Sequence, residues 1–269
     1  MTTKATFKQR NGVILIFTAG LFQGLTLVSF PALSSVLKMT LRLSDSAYGV
    51  LFLPQVLLTA VGALVSGGLS RRLGLPKLLK LSFLTNGLSQ LALLLAVALG
   101  EQYGLALLIL GTSLLGFGFG LSAAPLNRYP VIFFPSKSDS ALTALHTLIG
   151  AGLALGPLLV GLLVETDQWR LFVSGLIASA TALLIVSFLV YLPPDKAEAG
   201  PNINNAKLIR SPALWLLFLI ASTYAVCEGL FSNWAVLFLQ EDKLQSPQIA
   251  GAALSSFWAA LALGRLLTS

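Results

Sequence analysis

The chain has 269 residues, of which 56% are hydrophobic and 10% charged, with a mean hydropathy of +0.86. Soluble domains carry about 25% charged residues, so this composition excludes a globule that faces water on all sides. The net charge of +7 raises nucleic-acid binding, which the placement of the charges argues against below, and the lone cysteine, Cys227, leaves no internal disulfide and no cysteine-clustered metal site.

Apolar stretches run over 12–37, 47–69, 78–100, 103–126, 141–164, 171–192, 212–239 and 248–268. Each is long enough to cross hydrocarbon as a helix, which takes roughly 20 residues. None alternates with the short period of a barrel strand. Lipid offers no partner to an exposed backbone group. The expected fold class is therefore an all-α membrane protein, a polytopic helical bundle of about eight transmembrane helices.

Lys4, Lys8 and Arg10 precede the first stretch. It is longer than the apolar region of a signal peptide and lacks an A-x-A-like cleavage site, so it reads as a retained first helix. It carries a mid-span amide, Gln23, and Pro31 should bend it. The third stretch places Asn86 and Gln90 one turn apart, a pattern for hydrogen bonds between helices. The fourth carries Gly111, Gly116, Gly118 and Gly120. Its GFGFG run lies inside a span and no phosphate-binding loop is present, so an ATP-driven pump is not supported. A loop is expected over 127–140, with Asn127, Arg128, Pro130, Pro135 and Lys137. The fifth stretch holds His146, the one histidine, then Gly150, Gly152, Gly156, Pro157 and Gly161. Gly152 and Gly156 have the GxxxG spacing that lets helix backbones meet.

The polar stretch 193–211, rich in Pro, Gly and Asn, reads as a linker. It divides the chain into 1–192, an N-terminal six-helix bundle, and 212–269, the first two helices of an incomplete C-terminal bundle. Six helices, a linker and the start of another set match a transporter built of two repeated halves. A site between two halves needs both, so the 269-residue chain alone is not expected to transport.

With the N-terminus inside, 13 basic residues fall on the cytoplasmic side and only Lys38, Arg42, Arg170 and Lys243 on the other, accounting for all 17. Asp45, Glu101, Glu165, Asp167, Glu241 and Asp242 fall on the outer side. The positive-inside rule then predicts a multi-pass protein of the cell (inner or plasma) membrane with a cytoplasmic N-terminus and a cytoplasmic linker. The basic excess is a topology signal, and no nucleic-acid partner is expected.

Three segments resemble the major facilitator superfamily. Gly67-Gly68-Leu69-Ser70-Arg71-Arg72-Leu73-Gly74-Leu75-Pro76-Lys77 is similar to that family's cytoplasmic loop motif, matching at Gly67, Arg72, Gly74 and Lys77. Arg71 stands where the family usually has Asp. Gly152, Gly156, Pro157 and Gly161 resemble its fifth-helix Gly-Pro motif, and Trp169-Arg170-x-Phe172 its entry to helix six. Asn127, the Ala144-Leu145-His146 segment, Tyr224 with Glu228, Asn233 and Trp234, and Gly264-Arg265-Leu266-Leu267 resemble the fucose-permease-like branch. The resemblance covers the whole chain as the first eight of twelve helices. It implies alternating access and uptake of a sugar or similar solute coupled to protons. A drug or metabolite exporter of the same superfamily, and a truncated membrane protein that does not transport, are the alternatives.

Glu228 is the one acid inside an expected span. A charge at the bilayer centre costs ~2.5–3.5 kcal/mol on insertion scales. A carboxyl there either contacts substrate or proton, or sits neutral and locks two helices together. An unperturbed histidine titrates near neutrality, which makes His146 a proton candidate, but a lone histidine is more often a packing or interface group. Gln23, Asn233 and Trp234 offer amides and a stacking face for a polar solute, or else interhelical bonds and an interfacial anchor. Arg128 either snorkels or pairs with an anion, and helix one supplies no acid to it. The substrate and proton candidates are therefore Gln23, Asn127, His146, Tyr224, Glu228, Asn233 and Trp234. The expected gating loop is Gly67, Arg71, Arg72, Gly74 and Lys77. No enzyme chemistry, cofactor or metal site is expected; the expected partners are a small-molecule substrate, protons and the lipid bilayer.

Overall fold

The computed structural model describes residues 3–195 and 210–267. The helices, in order, are α1 (Thr3–Leu27), α2 (Ser29–Ala32), α3 (Ser34–Thr40), α4 (Asp45–Val50), α5 (Phe52–Leu73), α6 (Leu75–Leu99), α7 (Glu101–Phe133), α8 (Ser138–Glu165), α9 (Trp169–Leu189), α10 (Pro212–Leu237) and α11 (Pro247–Leu267). No strand occurs among the described residues. Among them, 8 spans are long and apolar enough to cross a membrane, so the all-α polytopic bundle is the observed fold. Most of the expected linker, 196–209, lies outside the described residues, as do Lys196, Lys207 and Ser269.

The first apolar stretch is three helical pieces and not one bent helix. The backbone breaks at Val28 (φ −92°, ψ −2°) and Leu33 (φ −93°, ψ 9°). Pro31 has no N–H to donate to the Leu27 carbonyl. Thr26 Oγ1 donates to the carbonyls of Phe22 and Gln23, and Ser29 Oγ to that of Thr26. Hydroxyls that bond back along a helix bend it, and here three local effects act within six residues.

The fourth stretch is longer than expected. Asn127, Arg128 and Pro130, assigned above to a loop over 127–140, lie on α7, which runs through Pro125 and Pro130 to Phe133. The connection to α8 shrinks to Phe134 and a short turn over Pro135–Lys137. A proline inside a helix costs ~3 kcal/mol. Tertiary packing outweighs it: Tyr129 is fully buried and stacks on Phe133, and Leu126 and Phe133 are buried with it. Each such side chain stabilises by ~1.5–3 kcal/mol on burial.

Two layers of small residues set the helix crossings. Gly116 and Gly120 of α7 meet Gln55 and Thr59 of α5, where an added Cβ would lie 2.1 and 2.4 Å from their carbonyl oxygens. Gly24 of α1 and Gly152 of α8 face each other, and a Cβ on either would lie 2.1 Å from Ile149 O or 2.3 Å from Leu21 O. On α8, Gly161 and the Pro157 carbonyl receive Gly251 of α11, so α8 lies between α1 and α11. The helix-five glycines thus belong to two crossings with different partners.

The large core joins α1 to α9 and includes Phe22, Phe30, Tyr48, Tyr129 and Val173. A second cluster, Val28, Leu153, Ala235, Val236, Leu254 and Trp258 among it, brings α10 and α11 against α1 and α8. Only the far end of α10 is packed, at Ser232, Ala235, Val236 and Leu237. Its N-terminal turns leave Trp215, Leu216, Leu217 and Phe218 exposed, an apolar face suited to lipid.

Candidate functional site

The break in α1 exposes a bend that α10 and α11 approach. Leu27 and Val28 at the bend, Gln55 of α5, Leu153 of α8, Tyr224, Glu228, Ser232 and Asn233 of α10, and Trp258 of α11 line a cavity of about 200 Å3. Three of the seven expected candidates, Tyr224, Glu228 and Asn233, share this cavity.

A second cavity of about 360 Å3 lies nearer the N-terminal face, between α7, α8 and α11. Asn127, Thr143, His146, Thr147 and Arg265 line it. His146 Nε2 and Asn127 Oδ1 are 3.2 Å apart. Arg265 joins the two spaces. Its Nη2 donates to Tyr224 Oη at 3.2 Å and lies 3.8 Å from Glu228 Oε2. Residues 224 and 228 sit one turn apart on α10, so one guanidinium from α11 reaches both. The intramembrane acid therefore faces a guanidinium, which the sequence offered as a topology charge and as part of a family-like segment but not as a site residue. Its position one residue after Gly264 in an apolar helix gave no helical partner in sequence, because the pair crosses between helices.

Gln23 is elsewhere. It is buried among α1, α6 and α7, and Asn86 Nδ2 donates to its Oε1 at 3.4 Å. Asn86 and Gln23 therefore make the interhelical bond expected of amides. Gln90, fully buried, makes no such bond: neither its Nε2 nor its Oε1 has a partner among the described residues. Trp234 does not line the cavity. Its ring stands edge-on to Tyr48, centroids 5.3 Å apart, over Gly49.

Above the cavity, on the face opposite the N-terminus, the chain is closed by contacts between α3, α4 and the end of α10. Fully buried Tyr48 donates its hydroxyl to the Asn233 carbonyl at 2.9 Å. Lys38 Nζ pairs with Asp45 at 2.5 Å and also with Glu241. The hydrogen bond to Asp45, then that to Glu241, raises the Lys38 pKa above its usual 10.5. A π-helical turn over Phe238–Asp242 places Glu241 within this reach.

In the loop motif, Gly74 has φ +84°, a conformation that disfavours any side chain, while a Cβ on Gly67 would meet nothing within 4 Å. Arg71 and Arg72 end α5, and Lys77 lies in the first turn of α6. Arg71 lines a cavity of about 480 Å3 together with Asp195. Asp195, from the segment after α9, receives two hydrogen bonds from Arg128, at 2.8 and 3.0 Å. An acid at this face thus comes from the start of the expected linker, not from the loop itself.

The model of the family described as Major Facilitator Superfamily matches residues 12–269. The chain belongs to the Major Facilitator Superfamily. Among curated proteins it is similar to "Bypass of stop codon protein 6" of Saccharomyces cerevisiae, 27% identical over 179 residues. That alignment takes in 56% of this chain and 36% of the yeast protein, so the chain spans about a third of the length of this relative. The superfamily helices of this chain carry the glycine crossings, the α1 break and the shared cavity described above.

Proposed function

We propose that the protein is a secondary transporter of a small solute that works by alternating access and couples to protons through Glu228. The observation that carries this reading is the cavity between α1, α5, α8, α10 and α11, with a carboxylate inside it and a guanidinium at its edge. Residues 1–192 form one half, 193–211 a cytoplasmic linker, and 212–269 the opening helices of the second half. The N-terminus is cytoplasmic and the membrane is the cell membrane. Closure by Lys38, Asp45, Glu241 and Tyr48 on the outer face, with the Arg265 side of the cavity reached from the inner one, describes an inward-facing state.

The chemistry is a competition. Glu228 Oε2 lies 3.8 Å from Arg265 Nη2, so an incoming solute and the guanidinium compete for the same carboxyl group. A solute that draws either side chain away separates the pair, and proton exchange at Glu228 accompanies that separation. Movement of the α10–α11 pair against α1 and α8 carries the protonated site to the other face. Protein carrying both halves, purified into proteoliposomes with an imposed pH gradient, tests this. Glu228→Gln should lose gradient-driven accumulation and keep solute exchange. Gradient-driven accumulation that survives Glu228→Gln with its pH dependence intact refutes the coupling.

A further inference from the structure

A groove of about 160 Å3 runs between α6 and α9, away from the solute cavity. Leu84, Leu88 and Leu91 wall it from α6, at the i, i+4 and i+7 spacing of one helix face. Ile177, Thr181 and Leu184 wall it from α9 at the same spacing. Gly87 sets the floor: a Cβ there would lie 3.1 Å from Ala180 Cβ, so the two helices touch beneath the walls. Leu84, Leu88 and Leu91 are exposed, so the groove opens away from the bundle, toward lipid. Thr181 donates its hydroxyl to the Ile177 carbonyl, and the other lining side chains are apolar. Toward the start of α6 and the end of α9 both faces change character. Lys80 precedes Leu84 by one turn and Lys77 by two, while Phe188 follows Leu184 by one. Lys80 Nζ stands 3.8 Å from the centroid of the Phe188 ring. Among the described residues neither Lys77 nor Lys80 pairs with a carboxylate.

We infer that this groove and its two lysines bind one phospholipid with an anionic headgroup. An acyl chain lies between α6 and α9, and the headgroup phosphate sits at Lys77 and Lys80. Length fits this occupant. Lys80 and Leu91 are 11 residues apart (91 − 80). At 1.5 Å per residue that is ~16 Å of helix, and one leaflet takes about half of a ~30 Å hydrocarbon core. The ammonium of Lys80 therefore stands at headgroup depth while the groove lies among acyl chains. Charge selects the headgroup. Two ammonium groups with no carboxylate partner attract a net anion, whereas a zwitterionic lipid brings a cation of its own beside them. The lining selects the chain. A groove without an open donor gives a soluble anion nothing to bond, and an acyl chain fills it with dispersion contacts. The Phe188 ring holds the Lys80 ammonium at the groove's end by a cation–π contact, where a free lysine would snorkel away. The site lies wholly on α6 and α9, so it stands independently of the transported solute and of the coupling ion.

Photolabelling tests this. Phosphatidylglycerol with a diazirine in its acyl chain is titrated into the purified full chain in detergent, and labelled peptides are mapped by mass spectrometry. Label should saturate on 84–91 and 177–184. A lysine beside an anionic headgroup contributes roughly fivefold in affinity, so Lys80→Gln should weaken binding about fivefold and Lys77→Gln with Lys80→Gln ~25-fold. Arg71→Gln, which changes a basic residue at a different cavity, should leave it unaltered. Phosphatidylcholine with the same label should bind the parent protein as weakly as phosphatidylglycerol binds the double variant. Thr181→Phe fills the groove from the α9 side and should cut labelling by both lipids; where it loosens the fold, the lysine variants carry the test. Equal labelling by the two lipids, full labelling of the double lysine variant, or label spread evenly over other lipid-facing helices such as α5 overturns the inference.

Discussion

The crossing of α1 and α8 gives the sharpest test of the architecture. Replacing Gly24 by alanine places a methyl 2.1 Å from the Ile149 carbonyl oxygen and 2.8 Å from Leu153 N. Ordinary contact begins at 3.4 Å, so the helices must part by about 1.3 Å (3.4 − 2.1) or bend. Both obstacles are backbone, so no rotamer change relieves them. A gap of 0.5–1 Å already forfeits about a quarter to a half of a dispersion contact, and overpacking costs ~1–3 kcal/mol. Alanine's better helix propensity returns about 1 kcal/mol, which leaves a net loss of ~1–2 kcal/mol at the upper end of the overpacking range. At ~2–4 °C per kcal/mol for a chain of this size, the melting temperature should fall by ~2–8 °C. Gly175 of α9 is the control, because a Cβ there meets nothing within 4 Å; Gly175→Ala should melt at or slightly above the parent. Tryptophan fluorescence on heating in detergent reads both. Gly24→Ala melting level with Gly175→Ala would refute the close crossing.

Lys38→Met should shift the balance toward an open outer face. Its partners Asp45 and Glu241 are 72% and 40% exposed, so each pair is held to ~0.2–1 kcal/mol and the loss of both changes the closed-to-open ratio by roughly 2- to 30-fold; spin-label distances between Met39→Cys and Leu244→Cys, in a Cys227→Ser background, should lengthen. The Lys38 pKa is raised, so its contribution is whole below 10.5 and fades only as pH rises through the raised value: the same distances should not change between pH 7 and 9 in the parent protein. Arg128→Asp should destabilise by breaking the two bonds to Asp195, and Arg128→Asp with Asp195→Arg should recover part of the loss, a coupling read from the four melting temperatures. Gly74→Ala should cost ~1–2 kcal/mol of stability because φ is +84°, whereas Gly67→Ala should be neutral, although both are loop-motif glycines.

The helical spans were legible because lipid imposes one rule on the whole chain: a segment without charges and about 20 residues long must close its own backbone bonds. The ends of those spans were not. Pro125 and Pro130 carry the local signal of a stop, yet α7 continues to Phe133, because the burial of Tyr129, Leu126 and Phe133 is a property of neighbours far along the chain. The α1 break was half visible. Pro31 announced a bend, but the hydroxyl bonds of Thr26 and Ser29 that divide the stretch into three depend on rotamers.

For the site, Glu228 stood out by chemistry alone, since an acid among apolar residues is costly wherever the helix goes. Tyr224 came from the family resemblance, and Asn233 from that resemblance and its amide one turn past Glu228. Arg265, Gln55 and Trp258 did not stand out as site residues, for a polar or aromatic residue on a membrane helix reads the same whether it faces lipid, a neighbour or a cavity. Gln23 is the converse case. Its mid-span amide read as a solute contact or an interhelical bond, and in the fold its Oε1 accepts from Asn86. Composition and apolar length by themselves determined an all-α membrane protein, because the solvent acts on every residue in the same way. Which side chains from α5, α10 and α11 meet around one cavity was decided only by the tertiary structure, through glycine crossings that bring particular helices together and no others.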